Sequence, residues 1–382
     1  SGAAGSKVDA VSIAASGTAT FVGEVAGVSA INSGQIGGRR NIVYNGEMKV
    51  AQRSASETGL GAATGYFTLD RWRMAEGDAS AGRYTMAQVA DGPAGFANCL
   101  KLTTTTADTS IAAGEFLRLD QQFEGQDLQQ LQKGTATAKQ VTVSFYVKGN
   151  ASATYTCELN DSDNSRSIAQ AFAVTTSWNR IELTFAADTS DPLDDDNAKS
   201  LSLIFWLHGG STYTGGTFVS NTWADTVANK RLSDSQTSIF DSTSRTLFIT
   251  GVQMEIGATA TEFESRTFGD ELALCQRYYE KSYNATTAPG TSTNTGKLNY
   301  VIGAAANITW RLGVTFRTSK RASPTFTVRS STGAAGNIRL NNTSDLSVTT
   351  ESPGDNAASF YFTRSAAGGD FFWFHYEADA EL

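Results

Sequence analysis

The chain has 382 residues, of which 40% are hydrophobic and 10% aromatic, and this content indicates a folded protein rather than a disordered one. The net charge of −8 and the charged fraction of 18% argue against nucleic-acid binding, which needs clusters of Lys and Arg. The longest apolar runs have about five residues, whereas a membrane-spanning helix needs roughly 20, so we expect no membrane insertion. The 36 glycines and the alternation of apolar with polar residues predict an all-β protein with many glycine turns.

Residues 1–40 consist mostly of Gly, Ala, Ser, Val and Ile, with almost no aromatic residues. Short alternating stretches recur there, for example at 18–25. Strands this sparse cannot bury a core by themselves and need copies of themselves or a partner. We therefore predict a β stalk or attachment segment over 1–40 that makes the protein a homotrimer, with a flexible tail as the alternative.

Residues 41–283 show the period-2 alternation of a large β-sandwich or jelly roll. Several strands of 6–10 residues, separated by polar loops, are expected in this range. The expected core-facing residues are Val141, Val143, Phe145 and Val147 on one strand, Leu201, Leu203, Phe205 and Leu207 on a second, and Phe248, Val252, Met254 and Ile256 on a third.

One amphipathic helix is predicted at the end of this unit, over residues 270–281. Acidic residues at its start and Lys281 at its end suit the helix dipole. Leu272, Cys275 and Tyr279 form one apolar stripe, so the helix is expected to dock against the sandwich or a subunit boundary.

Residues 284–296 form a polar, turn-rich linker, and residues 297–382 are predicted to form a small C-terminal β-sandwich. The last strand carries aromatic residues on both faces, which suggests that both are buried or that one meets another chain or a ligand. The candidate strands are 308–316, 325–329, 337–340, 359–364 and 370–378.

Seven motifs follow one another along the chain, at 41–48, 50–53, 68–72, 141–148, 250–255, 262–266 and 269–279. As a set and in this order, they resemble the carbohydrate-binding-module-like jelly roll of bacteriophage tail fibre and virion appendage proteins. Two C-terminal stretches, 321–325 and 378–382, look like the distal module of the same proteins. The resemblance implies a trimeric adhesin in the virion, as a tail or capsid appendage assembled in the host cytoplasm.

The function implied is binding to a host-surface receptor, most simply a glycan, with the N-terminal segment joining other virion proteins. A purely structural fibre or head decoration protein is the alternative. The motif G-x-S-x-G, the motif H-E-x-x-H and a P-loop are all absent from the sequence, and we expect no enzymatic activity. A polysaccharide-degrading enzyme is a minor alternative, because a catalytic carboxylate pair has no fixed spacing in sequence.

The candidate ligand-binding residues are aromatic and polar side chains opposite the core-facing positions of two strands. If the core faces are assigned correctly, Tyr146, Lys148, Trp206 and His208 point outward. Sugars stack on aromatic rings while polar groups bind their hydroxyls, so these residues suit a glycan. The alternative is that they face another subunit or lie under loops. Tyr213 and Trp223 are further candidates in the loops.

Metal candidates are limited to acidic loops. Asp191, Asp194, Asp195 and Asp196 form an oxygen-rich segment that could supply some ligands of a structural calcium ion, although a solvated loop is the alternative. Residues 161–172 begin like an EF-hand but lack its glycine and terminal glutamate. The three cysteines are far apart in sequence and are expected to be buried thiols, and no other cofactor is predicted.

Overall fold

The computed structural model describes residues 39–78, 80–303, 307–364 and 370–382, together with the backbone of a hairpin formed by Ala30–Ile31 (β1) and Gly34–Gln35 (β2). Apart from this hairpin, the predicted stalk lies outside the described residues. Strands make up 43% and helices 7% of the structure, which confirms the all-β class.

Two six-stranded antiparallel sheets form a sandwich. The strands are Ser56–Leu60 (β3), Arg73–Gly77 (β4), Arg83–Val89 (β5), Cys99–Thr106 (β6), Phe116–Glu124 (β7), Val141–Gly149 (β8), Ala153–Asp161 (β9), Arg166–Val174 (β10), Asn179–Phe185 (β11), Lys199–Gly209 (β12), Ala224–Asp225 (β13) and Thr246–Ile256 (β14). Sheet I has the order β11-β8-β14-β6-β5-β3, and sheet II has the order β13-β10-β9-β12-β7-β4.

The core lies between the two sheets and contains the residues expected from the alternation of β8 and β12, all of which are buried. The Phe145 ring of sheet I lies 5.0 Å from the rings of both Phe172 and Phe205 in sheet II. The three cysteines are free and buried, as expected.

The prediction that Phe248 of β14 faces the core is wrong, because the strand contains a β-bulge between Thr250 and Gln253. The extra residue reverses the alternation. As a result, Leu247 and Ile249 enter the core together with Val252, while Phe248 lies on the outer face of sheet I.

The predicted helix is shorter than expected at its C-terminal end. Thr267 caps it by accepting a hydrogen bond from the backbone N–H of Asp270, and it ends at Gln276. Tyr279–Lys281 is a strand that pairs with the last strand of the chain, so Tyr279 is buried in a sheet rather than on a helix. The helices are Ser211–Thr214 (α1) and Phe268–Gln276 (α2), with 3-10 turns at Gly125–Asp127, Gln129–Leu131 and Ala228–Lys230. Among the described residues, no helix has the length and apolar character needed to cross a membrane.

The C-terminal part has a separate core between two further antiparallel sheets. Its strands are Tyr279–Lys281 (β15), Leu298–Ile302 (β16), Ile308–Thr315 (β17), Thr325–Ser330 (β18), Asn337–Leu340 (β19), Ser344–Ser347 (β20), Thr349–Glu351 (β21), Ala357–Arg364 (β22) and Asp370–Asp379 (β23). Strand β23 pairs with β15, β16, β18 and β19, and β17-β22-β21 form the other sheet. Each strand predicted here is present within two residues of its expected ends. On β23, Phe372 and Phe374 point into the core, whereas Phe371 is exposed.

Candidate functional site

The four predicted ligand-binding residues do not lie together. Tyr146 and Lys148 are on β8 in sheet I, whereas Trp206 and His208 are on β12 in sheet II. The outward positions of these two strands therefore face away from each other across the sandwich. One shared binding face for all four is excluded.

The predicted exposure of Trp206 is wrong. Its ring is fully buried beneath the segment that follows β12, and it packs against Phe116, Tyr213 and Leu232. The indole N–H donates to the carboxylate of Glu158. The ring points away from the main core, as predicted, but the protein itself covers the face on which a sugar would stack.

His208 is also fully buried. Its Nδ1 lies 2.7 Å from Oγ of Ser238, and its Nε2 lies 3.5 Å from a carboxylate oxygen of Glu115. Burial lowers the pKa of this imidazole, although the nearby Glu115 carboxylate opposes the shift. His208 is thus held by internal contacts.

Tyr146 and Lys148 lie on an outer face of sheet I that also carries exposed parts of other aromatic rings. The strand register places Lys148 beside Phe248, and Phe248 beside Lys101. Trp178 immediately precedes β11, and the register of β11 with β8 places it beside Lys148. Its ring lies 6.3 Å from that of Phe248. All four side chains are half-buried, and together they form what we call the aromatic row: Trp178, Lys148, Phe248 and Lys101.

The amines of the aromatic row contact the rings directly. Lys148 Nζ lies 5.0 Å from the ring centre of Trp178 and 4.7 Å from that of Phe248, and Lys101 Nζ lies 5.2 Å from Phe248. Lys148 also forms a salt bridge of 3.0 Å with the exposed Asp91. Such an alternation of rings and amines offers both stacking surfaces and hydrogen-bond donors.

A second group of rings adjoins the aromatic row. The Phe96 ring lies 5.2 Å from Tyr146 and 5.1 Å from Phe263. Gly251, in the β-bulge, has a φ of +61°, and a Cβ there would lie 2.8 Å from Phe96 and 3.0 Å from Tyr146. Glycine is therefore needed both for the backbone conformation and for the approach of the two rings.

Sequence reasoning missed Trp178 and Phe248. Simple alternation assigns Phe248 to the core, because it does not reveal the bulge that reverses the face of the strand. Trp178 lies just outside a strand, so no strand pattern includes it. Of the further candidates, Tyr213 contacts the buried Trp206, and Trp223 donates from its indole N–H to the carbonyl of Ala186. Neither belongs to the outer face of sheet I.

The four predicted calcium ligands do not converge. Asp191, Asp194, Asp195 and Asp196 are exposed, and the described residues contain no group of three or more His, Cys, Asp or Glu arranged to hold a metal ion.

A buried lysine lies beside this loop instead. The Lys133 ammonium lies 2.6 Å from the Asp161 carboxylate, 3.1 Å from the Asp188 carboxylate, and 3.1 and 2.8 Å from the carbonyls of Ser190 and Asp191. Four oxygens of the kind that bind Ca²⁺ thus surround a side-chain cation.

Removal of this cation is expected to be costly and to be partly reversed by calcium. Lys133→Ala leaves the buried Asp161 without its cation, whereas Asp188 keeps its contact with Arg166, and breaking a buried pair costs about 3–5 kcal/mol. Because the vacated space is lined by oxygens, millimolar Ca²⁺ should recover part of the loss. Urea unfolding with Ca²⁺ and with EDTA measures both effects. Lys139→Ala, at an exposed lysine nearby, is the control. Equal responses of the two variants to calcium would contradict the expectation.

The sequence matches no protein-family model, and a search of curated proteins found no match to it. A structure described as a family 4 carbohydrate-binding module is 15% identical, with 48% of this chain and 86% of that chain covered at a TM-score of 0.27. The family 11 carbohydrate-binding module of a Clostridium thermocellum cellulosomal cellulase is 13% identical, with 53% and 100% covered at a TM-score of 0.26. The enzymatically active domain of tailspike protein 4 from bacteriophage CBA120 is 13% identical, with 49% and 19% covered at a TM-score of 0.27. At such low values these similarities do not identify a ligand, so the function is inferred from the side chains of this chain.

Proposed function

We propose that this protein is a bacteriophage virion appendage that binds a polysaccharide on the host surface through the outer face of sheet I. The observation that carries the glycan-binding part is the aromatic row, in which two half-buried rings alternate with two amines. Tyr146, two residues before Lys148 on β8, extends this surface along the strand.

The chemistry of the aromatic row suits a sugar chain. The apolar faces of pyranose rings stack on Trp and Phe, and ammonium groups donate hydrogen bonds to hydroxyls. Trp178, Phe248 and Tyr146 are attached to paired strands or lie next to one, so their spacing is set before the ligand arrives. Such preorganisation reduces the entropy lost on binding.

The assignment to a virion is supported by the motifs that resemble tail fibre and appendage proteins. The proposed assembly is a homotrimer joined to other virion proteins through the N-terminal segment. The proposed activity is binding without cleavage of the polysaccharide.

Binding can be measured with the full chain on an array of bacterial capsular and lipopolysaccharide glycans, followed by calorimetry with the strongest ligand. Phe248→Ala and Trp178→Ala are each expected to weaken binding about tenfold, corresponding to ~1.4 kcal/mol of lost ring contact. Phe371→Ala removes an exposed ring from the C-terminal part and is the matched control.

Each outcome separates the alternatives. No binding to any glycan, with cell attachment also absent, would favour a purely structural appendage. Release of reducing sugar ends would indicate an enzyme. Binding that survives both ring substitutions would remove the aromatic row from the site.

A further inference from the structure

The aromatic row continues across sheet I beyond Lys101, and its side chains become small there. The register of β6, β5 and β3 places Ala87 beside Lys101, and Ser56 beside Ala87. Ala87 is half-buried and Ser56 is exposed. The row therefore changes at Lys101 from aromatic rings to a low surface, which we call the shelf: Ala87 and Ser56.

Hydroxyl groups flank the shelf on the same face of the sheet. Thr103 lies two residues after Lys101 on β6, and the register pairs it with Thr85, two residues before Ala87 on β5. Oγ1 of Thr85 lies 2.9 Å from Oγ1 of Thr58 on β3. Residues two apart on a strand share a face, so these hydroxyls can donate to or accept from a sugar that lies on the shelf.

The two amines of the aromatic row lie against one ring, but only one of them is neutralised. Lys148 Nζ lies 4.7 Å from the ring centre of Phe248, and Lys101 Nζ lies 5.2 Å from it. Lys148 donates hydrogen bonds of 3.0 Å to both carboxylate oxygens of Asp91. The amine of Lys101 has no hydrogen bond or ion pair among the described residues.

The acidic residue that adjoins the shelf in sequence belongs to the other face of the sheet. Glu57 lies between Ser56 and Thr58 on β3 and is paired with Met86, whose side chain is in the core. Alternation therefore places Glu57 on the opposite side of β3 from the shelf. In a protein with a net charge of −8, the aromatic row thus presents one ammonium without a direct partner.

This ammonium decides which kind of sugar fits the site best. A sugar that stacks on Phe248 also displaces water from Lys101, because the amine lies against the same ring. Removing water from a charge is costly unless the charge gains a partner. A neutral sugar offers only hydroxyl oxygens, whereas an anionic group also balances the charge and makes the stronger hydrogen bond.

We propose that the polysaccharide bound by the aromatic row is acidic, with its carboxylate or phosphate on Lys101 and its pyranose ring on Phe248. The next sugar lies on the shelf, where the hydroxyls of Thr103 and Thr85 contact it. This inference rests on the proposed function, because it names the class of ligand for the same site. An ammonium is a compact point charge that pairs with either anion.

The test is calorimetry of the full chain with the strongest binder from an array of uronate-containing, phosphate-containing and neutral bacterial capsular and lipopolysaccharide glycans. That glycan is compared with its carboxyl-reduced form, or with its dephosphorylated form if the anion is a phosphate, so that the two ligands differ mainly in charge. The acidic form is expected to bind about tenfold more tightly, with an affinity that falls as salt is raised.

Two charge substitutions should act in opposite directions on the acidic glycan. Lys101→Gln should weaken its binding about tenfold, because a charge-assisted contact is lost, and should affect the neutralised glycan less. Asp91→Asn should strengthen binding about two- to fivefold, because it frees Lys148 as a second cation. Lys230→Gln, at an exposed lysine in the turn after β13, is the matched control.

The outcomes separate this inference from the proposed function. Equal binding of the acidic and neutralised glycans, or a Lys101→Gln variant that binds as well as Lys230→Gln, would overturn the acidic ligand. The proposed function would still stand in that case if Phe248→Ala weakened binding. Both fall if no glycan on the array binds, or if binding survives Phe248→Ala and Trp178→Ala. Lys101→Gln should melt close to the unmodified protein, since it loses no ion partner.

Discussion

Arg71→Met is expected to lower the free energy of unfolding by about 3–5 kcal/mol, because it leaves a buried carboxylate without its closest partner. Arg71 is fully buried and forms a salt bridge with Glu381 at the end of the chain. Its guanidinium lies 3.5 Å from the ring centre of Tyr278 and donates to the carbonyl of Gln122 in sheet II. After the substitution, the Glu381 carboxylate would keep the contact of 3.3 Å with Arg53, and the Glu381 carbonyl would still accept a hydrogen bond from Arg321.

Urea unfolding of Arg71→Met, Glu381→Gln and the double variant measures this contribution. The two losses should not add, since both variants break the same interaction. Arg311→Met, at an exposed arginine paired with Glu351, should change stability by less than ~1 kcal/mol. If Arg71→Met were no worse than this control, the ion pair would not secure the C-terminal residues to the sandwich.

Trp206→Ala is expected to cost about 3–5 kcal/mol of stability, because a fully buried indole is removed from close packing. The change opens a cavity between Phe116, Tyr213 and Leu232. It also removes the N–H donor to Glu158, a carboxylate that is fully buried. Replacement of an exposed ring would not be expected to lower stability by this much.

Thermal and urea unfolding of Trp206→Ala should be compared with Trp178→Ala. Trp178 is half-buried next to β11 of sheet I, and replacing it with alanine should cost less than ~1.5 kcal/mol of stability. A Trp206→Ala protein with normal stability and weakened glycan binding would restore the interpretation of Trp206 as an exposed ligand residue.

Much of the fold follows from local alternation. Apolar residues repeat every second position along β8 and β12, and this period places one side of each strand in the core wherever the strand pairs. The strands of the C-terminal part were predicted for the same reason. The presence of α2 also follows from local signals, since the acidic residues near its start suit a helix N-terminus, although the helix begins two residues earlier than predicted.

The positions of the candidate site residues depend on contacts between distant parts of the chain. Alternation says which side chains share a strand face, but it does not say which sheet the strand joins, so Tyr146 and Trp206 were wrongly grouped. A single bulge at Gly251 moved Phe248 outward, and the segment after β12 covered Trp206. The oxygens around Lys133 also come from residues far apart in sequence. Composition and periodicity therefore determined the all-β class and the core faces of most strands, whereas sheet order, one extra residue in a strand and a covering loop decided which side chains can meet a ligand.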